Sequence, residues 1–176
     1  LGYDKRIDEV KHHDVDITDK LVVTVSSQKG CPMNCNFCDC PKLGFKGNAT
    51  LPELVTEIMS GVALSGIKHG KRLNVQPTFN PNVITSAEYI AKMLGDENSD
   101  VTFDEYHPVV STMMPKANKN LKEFLHRWVE TGFVYGGEDG FGLQFSINTL
   151  DEDDRNAMFR NRSMSLQEIS DVIREL

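Results

Sequence analysis

The sequence lacks the features that define several common classes of protein. None of its 176 residues lies in an apolar run that approaches the roughly 20 residues needed to span a bilayer, so we expect no contact with a membrane. Residues 1–10 are charged and contain no apolar core of a secretory signal peptide. Positive charge is also scarce, since the 19 Lys and Arg are outnumbered by 26 Asp and Glu, which gives a formal net charge of −7. This balance disfavours a general nucleic-acid binder, although a basic patch on flanking sequence would be compatible with it.

The chain also lacks internal repeats and low-complexity tracts. It opens on Leu1 without a Met and stops at Leu176 inside a segment with helical spacing, so we expect a fragment or a processed chain. With 39% hydrophobic and 26% charged residues, its composition is that of a globular domain with a sizeable core. We divide the chain into an N-terminal extension, residues 1–20, and a core, residues 21–176.

Cysteine is confined to one short stretch. The four Cys fall between residues 31 and 40, and the five His show no spacing typical of metal ligands. Disulfides usually join distant segments, so cysteines this close together indicate a metal site in a reducing compartment. We therefore expect a cytoplasmic metalloprotein.

Strand-like and helix-like segments alternate after residue 20. Apolar runs rich in β-branched residues predict strands at residues 21–25, 72–75, 108–112 and 143–147. Capping boxes and apolar spacing predict helices that start near Thr50, Thr85, Leu121 and Ser165. The third of these helices is expected to end at Gly132, and residues 95–104 are expected to form a solvated loop.

This alternation predicts an α/β fold of about four parallel βα units. A complete eight-unit barrel takes roughly 250 residues, so either a partial (β/α) barrel or a doubly wound sheet would fit. In both architectures, ligands bind beyond the C-terminal ends of the strands. We expect four loops to surround one site, at residues 26–45, 76–82, 111–115 and 146–151.

The first of these loops carries the pattern Cys31-Pro-Met-Asn-Cys35-Asn-Phe-Cys38. Three such thiolates can bind one face of a 4Fe–4S cluster, and because most of these clusters take four Cys, three leave one iron open to a non-protein ligand. Two rivals are a zinc site that also uses Cys40 and a redox pair formed by Cys35 and Cys38. Zinc sites usually combine two Cys pairs across a longer gap, and no second pair exists here, so we favour the cluster.

The spacing CxxxCxxC, with Phe37 before the last Cys, resembles the radical S-adenosylmethionine superfamily, which implies a partial (β/α)6 barrel. A finer resemblance is to the branch that methylates adenine in rRNA and tRNA. The residues that carry it are Ser26 through Cys38, Gly44-Phe45, Asn48, Val110-Ser-Thr, Pro115, Ser146-Ile-Asn-Thr, Asp151, Asp154 and Arg155.

The resemblance implies an enzyme that cleaves S-adenosylmethionine reductively and makes a 5′-deoxyadenosyl radical, with RNA as its substrate. The cluster would be held by Cys31, Cys35 and Cys38, and a flavodoxin or ferredoxin would donate the electron. The implied cofactor-binding residues are Phe37, Gln76, Pro77, Ser111, Ser146 and Asn148.

The chain departs from this branch at three positions. Thr24 stands where the branch has a catalytic Cys, Gln76 replaces the Glu of its Gly-Glu-Pro motif, and Asn148 replaces a His. Two alternatives therefore stay open: a radical enzyme that acts on a peptide or small molecule, and a non-enzymatic zinc module with four Cys ligands.

Three further expectations concern residues outside the motif. Cys40 is interpreted as a small buried thiol, and Trp128, at helical spacing with apolar neighbours, as a core residue. Arg155, Arg160 and Arg162 either face an anion or pair with the acidic residues at 151–154.

Overall fold

The computed structural model describes residues 16–176, apart from the side chain of Glu138. Residues 1–15, most of the predicted N-terminal extension, lie outside the described residues. Seven strands are present in the described range: β1 Leu21–Thr24, β2 Gln28–Lys29, β3 Gly47–Asn48, β4 His69–Gln76, β5 Thr102–Tyr106, β6 Val109–Thr112 and β7 Gly142–Phe145.

The strands that form the body of the domain run parallel. One sheet has the order β1-β4-β5, and a second pairs β6 with β7. The two sheets are linked where the chain leaves β4, because the Ser111 N–H donates to the Pro77 carbonyl over 3.0 Å. Strands therefore follow one another across the domain in chain order. Only β2 and β3, which flank the cysteines, pair antiparallel among the described strands.

Five α-helices connect or follow these strands in residues 16–176: α1 Leu51–Ser65, α2 Asn82–Leu94, α3 Leu121–Tyr135, α4 Glu152–Phe159 and α5 Leu166–Glu175. The predicted capping boxes of α1 and α5 are both present. In α1 the Glu53 N–H donates to the Thr50 hydroxyl, and the Glu53 carboxylate accepts from the Thr50 N–H over 2.8 Å. In α5, Ser165 and Glu168 make the same exchange.

The core lies between the parallel strands and the first three helices. Trp128 is fully buried there, as predicted, and its indole N–H donates to the Gly142 carbonyl over 2.9 Å. The main buried contributors are Val23, Leu54, Ile58, Leu73, Val75, Ile90, Val110, Leu125 and Trp128. Burying these side chains on one face of each strand leaves the carboxyl ends of the strands free to form a site.

The predicted α/β fold with parallel strands is confirmed, whereas the partial (β/α) barrel stays a prediction. Three local predictions are wrong. Helix α2 begins at Asn82 rather than after a cap at Thr85, because the Asn80 side chain accepts from the Asn82 N–H over 2.8 Å. The predicted loop at 95–104 contains the start of β5, and α3 continues past Gly132 to Tyr135.

Helix α4 has no counterpart among the predicted elements. It begins after Asp151, whose carboxylate accepts from the Asp154 N–H over 2.9 Å.

The division at residue 20 stays a prediction, although the Lys71 N–H on β4 donates to the Thr18 carbonyl over 2.7 Å. Within residues 16–176, no helix is long and apolar enough to cross a membrane.

Candidate functional site

The three predicted metal ligands lie on a loop closed by two short strands. The loop leaves β1, and β2 and β3 pair across its base, with Gln28 opposite Asn48 and Lys29 opposite Gly47. The Gln28 amide also donates to the Asn48 side chain over 3.1 Å. This pairing, which we call the clasp, fixes both ends of the cysteine loop relative to the domain.

Gly30 allows the clasp to close on the loop. Its φ angle is +80°, in the left-handed region that favours glycine. A Cβ atom at this position would lie only 1.6 Å from the Gly44 carbonyl oxygen on the opposite side of the loop. The first cysteine can therefore follow the clasp directly only because residue 30 has no side chain.

The cysteines differ in exposure. Cys35 is buried at 5% exposure, while Cys31 and Cys38 are half-buried. Burial is the largest cause that raises the pKa of the Cys35 thiol, and the nearby Cys31 and Cys38 raise it further, while Arg162 acts in the opposite direction. Cys31 and Cys38 are thus close enough to Cys35 for their charges to affect its thiol.

The donor set fits an iron–sulfur cluster. Thiolates are the usual ligands of such clusters, and each Cys binds a different iron, so the sulfurs need not converge on one point. Among residues 16–176, no three Cys, His, Asp or Glu side chains are arranged to share a single metal ion. The site is therefore compatible with separate contacts to one multi-iron group.

The prediction of a buried Cys40 is wrong. Cys40 opens a short 3₁₀ helix, Cys40–Leu43, and its side chain is exposed. The pKa of the Cys40 thiol is raised chiefly by hydrogen bonding with the Cys38 side chain. The loop thus presents a fourth sulfur next to the third predicted ligand.

A segment at the end of α4, residues 157–162, braces the cysteine loop; we call it the strap. The Asn36 N–H donates to the Met158 carbonyl over 2.9 Å, and the Asn36 side-chain amide donates to the Ala157 carbonyl over 2.6 Å. The Arg160 guanidinium in turn donates to the Asn36 side-chain oxygen over 2.6 Å. One Asn between two predicted ligands is therefore held by three separate hydrogen bonds.

Two further contacts join the strap to the loop. Phe37 packs edge-on against Phe159, with 5.5 Å between ring centroids. The Arg162 guanidinium donates to the Pro32 carbonyl over 2.6 Å. Arg160 and Arg162 thus bind the cysteine loop itself, a role that neither sequence interpretation includes.

Arg155 has a different position, inside the domain. It is 1% exposed and donates to the carbonyls of Ser146 and Ile147 over 3.1 and 2.5 Å, and to the Ser163 hydroxyl. Burial lowers the pKa of Arg155. Its side chain therefore ties the segment after β7 to Ser163, the residue that follows the strap, rather than pairing with the acids at 151–154.

Strained backbone is concentrated around this site. The described non-glycine residues with positive φ are Asn34, Met114, Asn148, Arg160 and Asn161. They fall in the cysteine loop, in the loops after β6 and β7, and in the strap. Such conformations cost roughly 1–3 kcal/mol each and cluster at functional sites, where surrounding contacts hold them.

A cleft of about 1180 Å³ opens beside the cysteines at the carboxyl ends of the strands. As predicted, all four expected loops contribute to it. Of the predicted site residues, those that line the cleft are Cys31, Cys38, Ser111 and Ser146. The Ser111 hydroxyl also donates to the Gln144 side chain over 3.2 Å, so neighbouring strands share polar contacts at this edge.

The cleft differs in charge from the protein as a whole. Among the described residues that line the cleft there is no Asp or Glu. The lining residues with an ionic side chain are Lys116 and Arg162, and both are cationic. The backbone joins these two, because the Lys116 N–H donates to the Arg162 carbonyl over 2.8 Å. In a chain with a net charge of −7, this is a locally positive cavity.

The other predicted cofactor residues lie near the cleft but do not line it. Phe37 is exposed and packs against the strap, and Pro77 is buried beside core residues. Gln76 ends β4 opposite Thr24 on β1, and both side chains are exposed. Asn148 is exposed in a left-handed turn after β7. Their roles stay predictions.

Sequence reasoning misses Met113 and Lys116, which both line the cleft. The Met113 sulfur lies 3.8 Å from the Cys35 sulfur. Neither residue belongs to a recognisable motif, and the only signal in the sequence is position, since both follow the third predicted strand. Loops at that end of a parallel strand are where ligand contacts arise.

The chain is similar in sequence to curated RNA methyltransferases. It is 24% identical to the dual-specificity RNA methyltransferase RlmN of Nautilia profundicola over 163 residues, which cover 89% of this chain and 42% of that protein. It is 36% identical to the enzyme of the same name from Aliarcobacter butzleri over 75 residues, 43% of this chain and 20% of that protein. It is 29% identical to a probable enzyme of that name from a Synechococcus species over 97 residues, 53% of this chain and 26% of that protein.

These similarities confirm the resemblance to the RNA-methylating branch of the radical S-adenosylmethionine superfamily. The matches extend over less than half the length of each of these three relatives. No protein-family model and no solved structure matches the chain.

Proposed function

We propose that this chain forms the cofactor-binding part of a radical S-adenosylmethionine enzyme that modifies RNA. The observation that carries the proposal is the position of the cysteine loop. Cys31 and Cys38 line a cleft at the carboxyl ends of parallel strands, and Cys35 is buried behind them. Similarity to RNA methyltransferases along 89% of the chain supports the substrate class.

In this proposal Cys31, Cys35 and Cys38 hold a 4Fe–4S cluster. When bound, the cluster would supply the electron that breaks a carbon–sulfur bond of S-adenosylmethionine and releases a 5′-deoxyadenosyl radical. The protein keeps water from one side of the loop, because Met33 and Phe159 pack around Cys35. Limited solvent access of this kind is one means by which proteins tune iron–sulfur centres.

Ser111 and Ser146 are the proposed contacts to S-adenosylmethionine. Both line the cleft, and hydroxyl groups can donate to a carboxylate and accept from an ammonium. Arg155 holds the Ser146 carbonyl, which fixes the backbone at this position. The backbone at Ser146 would therefore already be held in place when the cofactor binds.

The charge of the cleft supports an anionic substrate. Lys116 and Arg162 line it without any neighbouring carboxylate among the described lining residues, and a phosphodiester is attracted to such a surface.

A flavodoxin or ferredoxin would supply the electron that reduces the cluster. If the substrate were instead a peptide or a small molecule, the same radical chemistry would operate on a different partner.

Anaerobic reconstitution with iron and sulfide tests the proposal. We expect broad visible absorption, about four irons per chain and release of 5′-deoxyadenosine on reduction. A Cys35→Ser variant should lose most of this iron. Transfer of label from the methyl group of S-adenosylmethionine to RNA would distinguish RNA methylation from the alternatives. Failure of the folded wild-type chain to bind iron would refute the proposal.

The exposed Cys40 beside Cys38 keeps one alternative open, a zinc-binding module with four Cys ligands, although within residues 16–176 no three such side chains are arranged to share a single ion and zinc binding would require the loop to rearrange. A Cys40→Ser change separates the two functions. It should leave iron uptake by a three-Cys cluster nearly unchanged, and it should strongly weaken a four-Cys zinc site. Metal analysis of anaerobically purified wild-type and variant protein provides the comparison.

A further inference from the structure

Arg162 and Cys31 are connected through a single peptide unit. The Arg162 guanidinium donates to the Pro32 carbonyl over 2.6 Å. On the other side of the same peptide bond, the Met33 N–H points at the Cys31 sulfur, with 3.5 Å between nitrogen and sulfur. Because a peptide unit is planar, fixing its oxygen also fixes the direction of its N–H.

The two hydrogen bonds reinforce each other. A cation bound to a carbonyl polarises the peptide and makes its N–H a stronger donor. The final acceptor in this series of two hydrogen bonds is the sulfur of Cys31, the first predicted ligand. Hydrogen bonds to ligand sulfurs and nearby positive charge both stabilise added negative charge, and both therefore raise the reduction potential of an iron–sulfur centre.

The strap holds Arg162 where this contact can form. Arg160 and Asn161 adopt left-handed backbone conformations immediately before it, with φ of +50° and +56°. Arg160 bonds to Asn36, and the Arg162 backbone bonds to Lys116. A strained turn anchored on both sides is typical of a segment that positions a functional side chain.

We propose that Arg162 is a positioning residue for the cluster: it orients the Pro32–Met33 peptide toward the Cys31 sulfur and thereby raises the reduction potential of the centre. This inference rests on the proposed function, because it requires the three cysteines to hold the cluster. It adds a second role to the contribution that Arg162 makes to the positive charge of the cleft, since the guanidinium contacts the cysteine loop.

The test uses the full chain with three substitutions. Arg162→Met removes the charge and the donor, Arg162→Lys keeps the charge without the planar fork, and Lys116→Gln removes the other cation of the cleft without touching the cysteine loop. The midpoint potential of each reconstituted protein is measured by an electron paramagnetic resonance titration. Before reconstitution, the Met33 amide proton is observed by NMR.

For Arg162→Met we expect the ratio of reduced to oxidised cluster at a fixed electrode potential to fall about tenfold, which corresponds to about 59 mV for one electron. The Met33 amide resonance of the iron-free protein should move upfield as its hydrogen bond weakens. Arg162→Lys should fall between wild type and Arg162→Met in both measurements. Lys116→Gln should match the wild type in both.

An unchanged potential together with an unchanged Met33 resonance in Arg162→Met would overturn the inference and leave the proposed function intact. An equal drop in potential in Lys116→Gln would overturn it too, because general charge would then explain the effect. If Arg162→Met does not fold, Arg162→Lys decides alone, and a wild-type Met33 resonance in that variant contradicts the inference. If the folded wild-type chain binds no iron, both the proposed function and the proposed role of Arg162 are refuted.

Discussion

The thioether sulfur of Met113 lies 3.8 Å from the thiol sulfur of Cys35. This contact joins the loop after β6 to the most buried of the predicted ligands. Met113 also lines the cleft, so it separates Cys35 from the solvent of the cavity. A polarisable side chain suits this position because it can fill the irregular space beside the sulfur of a predicted ligand.

Met113→Ala should shorten the lifetime of the reconstituted cluster in air, because it opens a path for water and oxygen to Cys35. We expect a several-fold faster loss of visible absorption and a stability loss of about 1–2 kcal/mol, less than for a fully buried Met. Met93→Ala, at a half-buried position on α2, is the matched control. It should lower stability without affecting cluster lifetime, and equal lifetimes in both variants would contradict this account.

Arg155→Met should destabilise the domain by about 2–4 kcal/mol, because it leaves two half-buried carbonyls and the buried Ser163 hydroxyl without their charged donor. Urea unfolding followed by circular dichroism measures the loss. Arg174→Met on the exposed side of α5 serves as the control and should stay within about 0.5 kcal/mol of wild type. Similar losses in the two variants would mean that the buried contacts contribute nothing specific.

Gly30→Ala should abolish iron uptake, because its Cβ cannot lie 1.6 Å from the Gly44 carbonyl oxygen unless the clasp opens. Gly66→Ala is a control with the same sign of φ, +73°, at the end of α1. Within the described part of the chain, a Cβ at Gly66 would meet no non-neighbouring atom within 4 Å, so this variant should lose only about 1–2 kcal/mol and bind iron normally. Normal iron binding by Gly30→Ala would show that the clasp is dispensable.

The clasp should also respond to acid through Glu53. Hydrogen bonds from Lys29 and then from Thr50 lower the pKa of Glu53 from 4.5 to about 2. Because the folded-state pKa lies below the unfolded value, this carboxylate stabilises the fold above pH 4.5, and the stabilisation is lost as pH falls toward 2.

Unfolding curves recorded across this acid range provide the test for Glu53. Glu53→Gln should be less stable than wild type near neutral pH, and the difference should shrink as pH falls from 4.5 to 2. Glu97→Gln, in an exposed loop, should keep the acid dependence of the wild type. A difference between wild type and Glu53→Gln that is constant with pH would argue against this role.

Local sequence signals predict those elements whose ends are set by neighbouring residues. The boxes at Thr50 and Ser165 are satisfied within one helical turn, so the sequence indicates them directly. Thr85 has the same pattern but lies inside α2, because the buried Asn80 side chain accepts from the Asn82 N–H and the helix begins there. A capping box predicts a helix start only where no upstream side chain provides an alternative.

Elements fixed by distant contacts cannot be predicted in this way. The sequence at the start of β5 is typical of a loop, yet Thr102 pairs with His69 in the parallel sheet. Gly132 resembles a helix stop, but it is required for close packing, since a Cβ there would lie 2.5 Å from the Phe141 nitrogen. In both cases the deciding partner lies outside the local sequence pattern.

The same distinction applies to the candidate site. The cysteine spacing indicates the loop and its chemistry, and strand order indicates which loops surround the site. The family resemblance points to Ser111 and Ser146, which line the cleft. The roles of Arg160 and Arg162 depend on contacts across more than 120 residues, with Asn36 and Pro32. An arginine near a predicted strand end suggests that its side chain binds an anion or pairs with an acidic residue. A hydrogen bond from that arginine to a distant backbone carbonyl cannot be recognised in the sequence, because every residue has a carbonyl.

The clasp changes what metal binding would require of this chain. Metal sites in many small domains are disordered until the ion arrives, so part of the binding energy is used to fold the loop. Here the ends of the cysteine loop are already paired, and the strap already holds Asn36 and Pro32. Cluster insertion would then proceed on a preorganised template, and the iron-free protein should already be folded at this loop rather than fold only when metal binds.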